Sequence, residues 1–289
     1  MPKPPRHATD DLQRLLAGQQ FGSIEDVQAF MNNLVGKPLP SLPPEALSDE
    51  EQAQDLVSEA YGMPRAKARR NLEQALELDV NCIDAYACLG EMEASPAIAI
   101  AFFERGVALG RAQFGGAYLA ENKGSFWGLY ETRPFMNCLA HYAECLYLLG
   151  KLGECVAVYE EMLELNPNDN QGVRDLLMLY LVQQGDPKKY RKYAKQYESD
   201  GMAFTQFNRA LFAFKTQGPS EEAINALKAA MFANRFVAAK LLAKQPCEAP
   251  DAYGLGDQRE ASYYAHYAHP VWQATDGAIS WLKQHASKP

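Results

Sequence analysis

The chain has little of what catalytic sites are usually built from. It holds only five histidines in 289 residues. Its six cysteines (Cys82, Cys88, Cys138, Cys145, Cys155 and Cys247) form no C-x-x-C pair and no zinc-like spacing. Cys138 and Cys145 lie two helical turns apart, with Cys155 beyond. That pattern suits buried free thiols on apolar helix faces better than metal ligands, and a reducing compartment. There is no H-E-x-x-H, G-x-S-x-G, P-loop or G-x-G-x-x-G pattern, so neither a metal nor a cofactor is expected. An excess of basic residues is missing too. With a formal charge of −8 and a pI near 5.3, the chain is not expected to be a general nucleic-acid binder, although an acidic total leaves room for a local basic groove. The longest apolar stretch, around "AIAIAFF", falls far short of the ~20 residues that cross a bilayer. The opening "MPKPPRHATDD" has no apolar secretion-signal core. The expectation is a soluble cytoplasmic protein with no membrane partner.

What the chain does have is repetition. In "MNCLAHYAECLYLLGKLGECVAVYEEMLELNPND", Met136 to Asp169, a shift of 34 residues carries Leu146 to Tyr180 and Tyr159 to Tyr193. A second shift reaches Phe214 and Leu227 and brings the turn residue Gly150 onto Gly218. Cys155 meets Ala223 after two shifts, with Lys189 between. Each unit predicts two antiparallel helices with one apolar stripe apiece, at i, i+3, i+4 and i+7. A lone hairpin cannot bury its stripe, so neighbours must stack. Upstream, Ser48 and Glu51 predict a capping box, Pro96 a helix N-terminus, and Ser23 the cap of a separate amphipathic helix bearing Ile24, Val27, Phe30 and Leu34. The intervening "KPLPSLPPEALS" predicts a stiff extended spacer, with an SH3-type ligand as the alternative. The expected organisation is an N-terminal accessory helix and Pro-rich linker (1–47), two repeats (48–112), an aromatic and Gly-rich insertion (113–135), three repeats of 34-residue period (136–235) and divergent C-terminal helices (236–289). In the last segment "REASYYAHYA" and "VWQATDGAISWLKQHA" predict a terminal hairpin.

A 34-residue period with small residues at the helix crossings resembles the tetratricopeptide repeat. That resemblance implies an all-α, right-handed superhelix of helical hairpins. The stretches "FWGLYETRPFMNCLAHYAECLYLLG", "YAKQYESDGMAFTQFNRALFAF" and "GDQREASYYAHYAHPVWQATDGAISWL" look like an uncharacterised group of bacterial tetratricopeptide-repeat proteins. More remotely, Leu139 to Leu282 is similar to the C-terminal half of the suppressor of tumorigenicity 7 family, through Gly256-Asp257, Glu260-Ala261, Tyr264, Trp272 and Gly277-Ala278. The chain departs from that family in having "NRFVAAKLL" from Asn234 where the family shows Asn-Pro-His-Val-Pro. The resemblance implies a helical-repeat interaction protein and supplies no catalytic residue.

In such folds the first helix of each pair lines the concave side. Projected onto this chain, the groove candidates are Asn137, His141, Glu144 and Tyr147, then Gln171, Arg174 and Met178, then Thr205, Asn208, Arg209 and Phe212. Arg174, Asn208 and Arg209 are the side chains best suited to hold a carboxylate or a peptide backbone. The bland alternative is an ordinary polar surface. Lys188 to Lys195 put five cations on one helix, a solvated face or a site for an acidic partner. His266 and His269 lack a third ligand and read as packing or surface residues. The insertion "FGGAYLAENKGSFWGLYETRPF" carries too much apolar area to lie in water, so Phe126, Trp127 and Tyr130 are expected to pack on the repeats as a plug, or to form a lid over a ligand. Arg133 before Pro134 is expected to be extended and to reach the groove. The function expected is a non-catalytic scaffold or adaptor for a protein or peptide. The alternatives are an enzyme or small-molecule sensor with its pocket at the insertion, and self-association through the concave face.

Overall fold

A computed structural model describes residues 12, 14–16, 18–37, 47–245 and 247–286. Among these every regular element is a helix and there is no strand. The described residues divide into two compact units. One comprises the residues up to Asn122 together with Gly128–Leu149, the other Lys123–Trp127 together with those from Gly150 onward. The Pro-rich spacer lies almost wholly outside the described residues.

In the first unit α1 (Ile24–Leu34) is capped as expected by Ser23, whose hydroxyl accepts from the Asp26 amide. Helix α2 (Asp49–Ala60) starts with the capping box: the Ser48 hydroxyl accepts from the Glu51 amide at 3.2 Å, and the Glu51 carboxylate accepts from the Ser48 amide at 2.9 Å. It pairs with α3 (Arg65–Leu78), and α4 (Ile83–Glu91) pairs with α5 (Pro96–Gln113). Ala53, Val57, Leu72, Ala75, Ala85 and Leu89 fill the space between them. Helix α7 (Arg133–Leu148) packs on α4 and α5. That packing is close because two α5 positions lack a side chain: a methyl on Gly106 would overlap the Cys138 sulfur, and one on Gly110 the Phe135 ring. Glycine here trades helix propensity for proximity of two backbones.

The insertion is more regular than its composition predicts. Helix α6 (Gly116–Asn122) and a 3₁₀ turn at Phe126–Gly128 lie within it, and α7 begins inside it at Arg133. Phe114, Phe126 and Phe135 are buried, while Trp127 and Tyr130 are half-buried. Arg133 is not extended but is the first residue of α7. A proline at the second helical position loses only an amide that has no partner there in any case. That tolerance outweighs the usual bias of the preceding residue, and the exposed Arg133 guanidinium lies over the Tyr130 ring at 5.8 Å.

The second unit contains α8 (Leu152–Leu165), α9 (Val173–Gln184), α10 (Pro187–Gln196), α11 (Ala203–Gln217), α12 (Glu221–Ala233), α13 (Val237–Leu241), α14 (Gln258–Ala274) and α15 (Ala278–Ala286). Helix α9 packs on α8, α10 and α11, and α11 on α12. The 34-residue columns are core columns: Tyr159, Tyr193 and Leu227 are all buried, as are Leu146, Tyr180 and Phe214. The Leu149/Gly150 boundary assigns α7 to the first unit and α8 to the second, so the first of the three 34-residue repeats spans both.

The tail departs from its expected hairpin. Helix α14 runs through Pro270 to Ala274, and the break falls at Thr275 to Gly277. An interior proline costs about 3 kcal/mol or more. Pro270 is on the exposed side, while Tyr264, Ala268, Val271 and Trp272 on the same helix are buried. A continuous apolar face thus outweighs the lost hydrogen bond.

Candidate functional site

The sequence-derived candidates separate between the two units. Arg133, Asn137, His141 and Glu144 belong to the first, and Gln171, Arg174, Met178, Asn208, Arg209 and Phe212 to the second.

In the first unit His141 lines an open cleft of about 260 Å3 with Glu91, Phe103, Glu144 and Cys145. Its ring stacks on Phe103 at 5.1 Å. Glu144 and Glu91 flank it at 3.7 and 3.3 Å. These two carboxylates hold the imidazolium and raise its pKa from 6.5 to about 9 against the effect of burial. At neutral pH His141 is therefore a cation, unsuited to act as a general base. Asn137, one turn earlier on α7, is half-buried. Three thiols of this unit are held in their neutral form as well: burial pushes Cys82 up to about 12 and raises Cys138 and Cys145.

In the second unit the expected carboxylate clamp is already taken. Arg174 donates through Nη1 to Asp169 at 3.3 Å, and through Nε and Nη2 to Asp200 at 3.2 and 3.0 Å. Its guanidinium lies over Tyr197 at 5.3 Å. Asp169 also accepts the amides of Val173 and Arg174 at 2.8 and 3.1 Å, filling the first turn of α9. Asp169 stands at φ 51°, a left-handed backbone that aspartate tolerates better than most residues. Asn208 is fully buried. It donates to the Asp175 carbonyl at 3.3 Å and accepts from the Tyr264 hydroxyl at 3.3 Å. That hydroxyl in turn accepts from Trp272 Nε1 at 2.9 Å. Met178 and Thr205 are buried too. Of the second-unit candidates, Gln171, Arg174, Arg209 and Phe212 stay half-buried with some surface in solvent. Phe212 stacks on Tyr190 at 3.9 Å, and the Arg191 guanidinium lies 5.7 Å from its ring centroid.

Sequence reasoning missed the carboxylates around Arg174. Asp175 is buried at 8% exposure, and its Oδ1 is sealed from solvent without a hydrogen-bond partner. Burial lifts this carboxyl from 3.8 to about 7, opposed by Arg174 and helped by Asp200, Asp169 and Glu260. Glu260, at the start of α14, is equally buried but fully bonded. It accepts from the Ala203 amide at 3.0 Å, Asn234 Nδ2 at 2.8 Å and the Gly256 amide at 2.6 Å. It thereby joins the first turn of α11 to that of α14. The only sequence signal was an apolar stripe interrupted by acid at Asp175 and Glu260.

His266 and His269 each bond a backbone carbonyl, of Cys247 at 2.8 Å and of Ala243 at 3.1 Å. They hold the Ala243 and Cys247 carbonyls against α14. No helix among the described residues is long and apolar enough to cross a membrane. The chain matches no protein-family model and no curated protein.

Proposed function

We propose that the protein is a non-catalytic scaffold whose second unit receives a protein or peptide segment along α9 and α11. The reading takes the helices as tetratricopeptide-like pairs in a superhelical stack, in a cytoplasmic protein. One observation carries it. Helices α9 and α11, the first members of consecutive pairs, pack side by side and keep Arg174, Arg209 and Phe212 partly in solvent, while the 34-residue columns behind them are buried. A row of polar and aromatic side chains on adjacent rigid helices suits an extended chain laid across them.

Arg209 is the better probe of this surface, because Arg174 is committed to Asp169 and Asp200. The test is quantitative capture from native lysate, comparing the natural chain with Arg209→Glu. At least one partner captured by the natural chain should be lost in the variant while the thermal transition stays within a few degrees. Identical capture by both proteins would sink the reading.

A further inference from the structure

We infer that the outer face of α10 is a docking surface for an acidic protein segment, one rich in Asp and Glu. The inference rests on the scaffold reading and specifies the charge of the segment received.

Helix α10 carries five of the chain's 28 Lys and Arg residues in ten positions, and no carboxylate. Its inner side is fixed by Tyr190 and Tyr193, both buried. Lys189 is drawn in beside them and donates to Glu160, which also accepts from the Tyr193 hydroxyl. The other four cations, Lys188, Arg191, Lys192 and Lys195, are exposed. Their spacing of i, i+3, i+4 and i+7 sets them in one stripe about 10 Å long. Among the described residues none of these four forms an ion pair. Arg191 and Lys192 instead lie over aromatic rings, those of Phe212 and Tyr193. Asp186, just before the helix, uses its carboxylate for the cap, accepting from the Lys189 amide at 2.9 Å. The stripe is unfavourable when empty. Lys188 and Lys192, and likewise Arg191 and Lys195, are like charges four residues apart on a helix, which repel. A run of carboxylates laid along them removes that repulsion.

The stripe is continuous with the row on α11. Phe212 stacks on Tyr190 at 3.9 Å, and the Arg191 guanidinium lies 5.7 Å from the Phe212 centroid. Arg209 stands three residues before Phe212 and so neighbours it on the α11 surface. Phe212 thereby joins two cations, Arg209 on its own helix and Arg191 on α10.

Carboxylates on a protein fit this surface better than other polyanions do. Single-stranded nucleic acids are held by rings on which bases stack, and here Tyr190 and Tyr193 are buried. A basic helix lying on a membrane inserts an apolar face, and the apolar face of α10 is buried in the protein. With a formal charge of −8, the chain also repels a polyanion long enough to extend beyond the stripe. A short acidic segment keeps its charge within a Debye length of the lysines.

The test uses the full chain and fluorescein-labelled probes followed by anisotropy: octa-glutamate, octa-glutamine and a single-stranded thymidine octanucleotide, with sedimentation onto phosphatidylserine vesicles alongside. Octa-glutamate should bind with micromolar affinity in low salt and weaken at least about tenfold at physiological ionic strength and above. Octa-glutamine should not bind, and the oligonucleotide and vesicles should bind more weakly than octa-glutamate. Lys188→Glu/Lys195→Glu should weaken octa-glutamate at least about tenfold, with the thermal transition within a few degrees of the natural chain. Lys228→Glu/Lys244→Glu makes the same change in net charge at exposed positions away from α10 and should weaken it no more than about twofold. Undiminished binding to the α10 variant, equal loss in the two variants, or tighter binding of the oligonucleotide or vesicles would overturn the inference. Failure here with Arg209-dependent capture intact would remove the acidic assignment alone. Loss of Arg209-dependent capture with octa-glutamate binding intact would leave the α10 surface and remove the scaffold reading.

Discussion

The two units solve the same packing problem in opposite ways. In the first, α5 approaches α7 through Gly106 and Gly110, and the partners are Cys138 and Phe135. In the second, the space around α14 is filled by Trp272, Tyr264 and Phe207, and the polar atoms so buried are chained together through Asn208. One interface is governed by shape, the other by satisfying polar atoms. Small residues need no partners but tolerate no added volume. Large aromatic and polar residues fill volume and demand hydrogen bonds. The difference predicts where each unit is fragile.

The largest effect is expected from Trp272→Ala, which empties the centre of the second core and strips the Tyr264 hydroxyl of its donor. It should cost about 3–5 kcal/mol in urea denaturation, with amide exchange accelerated first in α11 and α14. A loss under about 1 kcal/mol would mean that the polar chain does not organise this unit. Gly110→Ala should cost about 1–3 kcal/mol by overpacking despite alanine's better helix propensity. Adding Phe135→Leu should recover part of that loss. A Gly110→Ala protein more stable than the natural chain would show that the close approach is not required.

The next contrast is in pH. Asp175 titrates ordinarily near 3.8 but near 7 in the fold, so between those values the folded state binds more protons than the unfolded one. Stability should then fall as pH rises across that window. Asp175→Asn should flatten the fall, as read from melting temperatures between pH 4 and pH 8. His141 gives a fall of the same sign in a higher window, here by losing a favourable pairing rather than by charging a buried acid. Its pKa rises from 6.5 to about 9, so its pairing stabilises fully below 6.5 and is lost as pH climbs through 9. The ring is 39% exposed, which screens the pair. His141→Gln should cost no more than about 1 kcal/mol at pH 6 and nothing above pH 10. A larger loss at pH 10 than at pH 6 would contradict the assigned pairing.

The candidate surface was legible in part. Arg174 and Arg209 were identified from their places on the first helices, and both keep solvent-exposed surface. Asn208 and Met178 sit on the same helices at neighbouring positions, yet both are buried. For Asn208 the cause is α14, whose Tyr264 lies 56 residues beyond it and reaches its side chain. A face that is open in an isolated hairpin closes when a remote helix docks on it. The Arg174 clamp failed for the same reason, since its partner Asp200 lies 26 residues away on a turn.

Sequence alone determined the helices and most of their ends. Ser23, Ser48 and Ser220 cap as local chemistry dictates, and the columns Leu146/Tyr180/Phe214 and Tyr159/Tyr193/Leu227 share burial because the same apolar pattern recurs every 34 residues. Those are short-range matters of periodicity and of unsatisfied amides at helix starts. Tertiary structure decided which polar groups lost their water. It bonded Glu260 three times, left Asp175 incomplete and carried α14 through Pro270. Desolvation depends on what is packed above a residue, and that neighbour comes from a distant part of the chain.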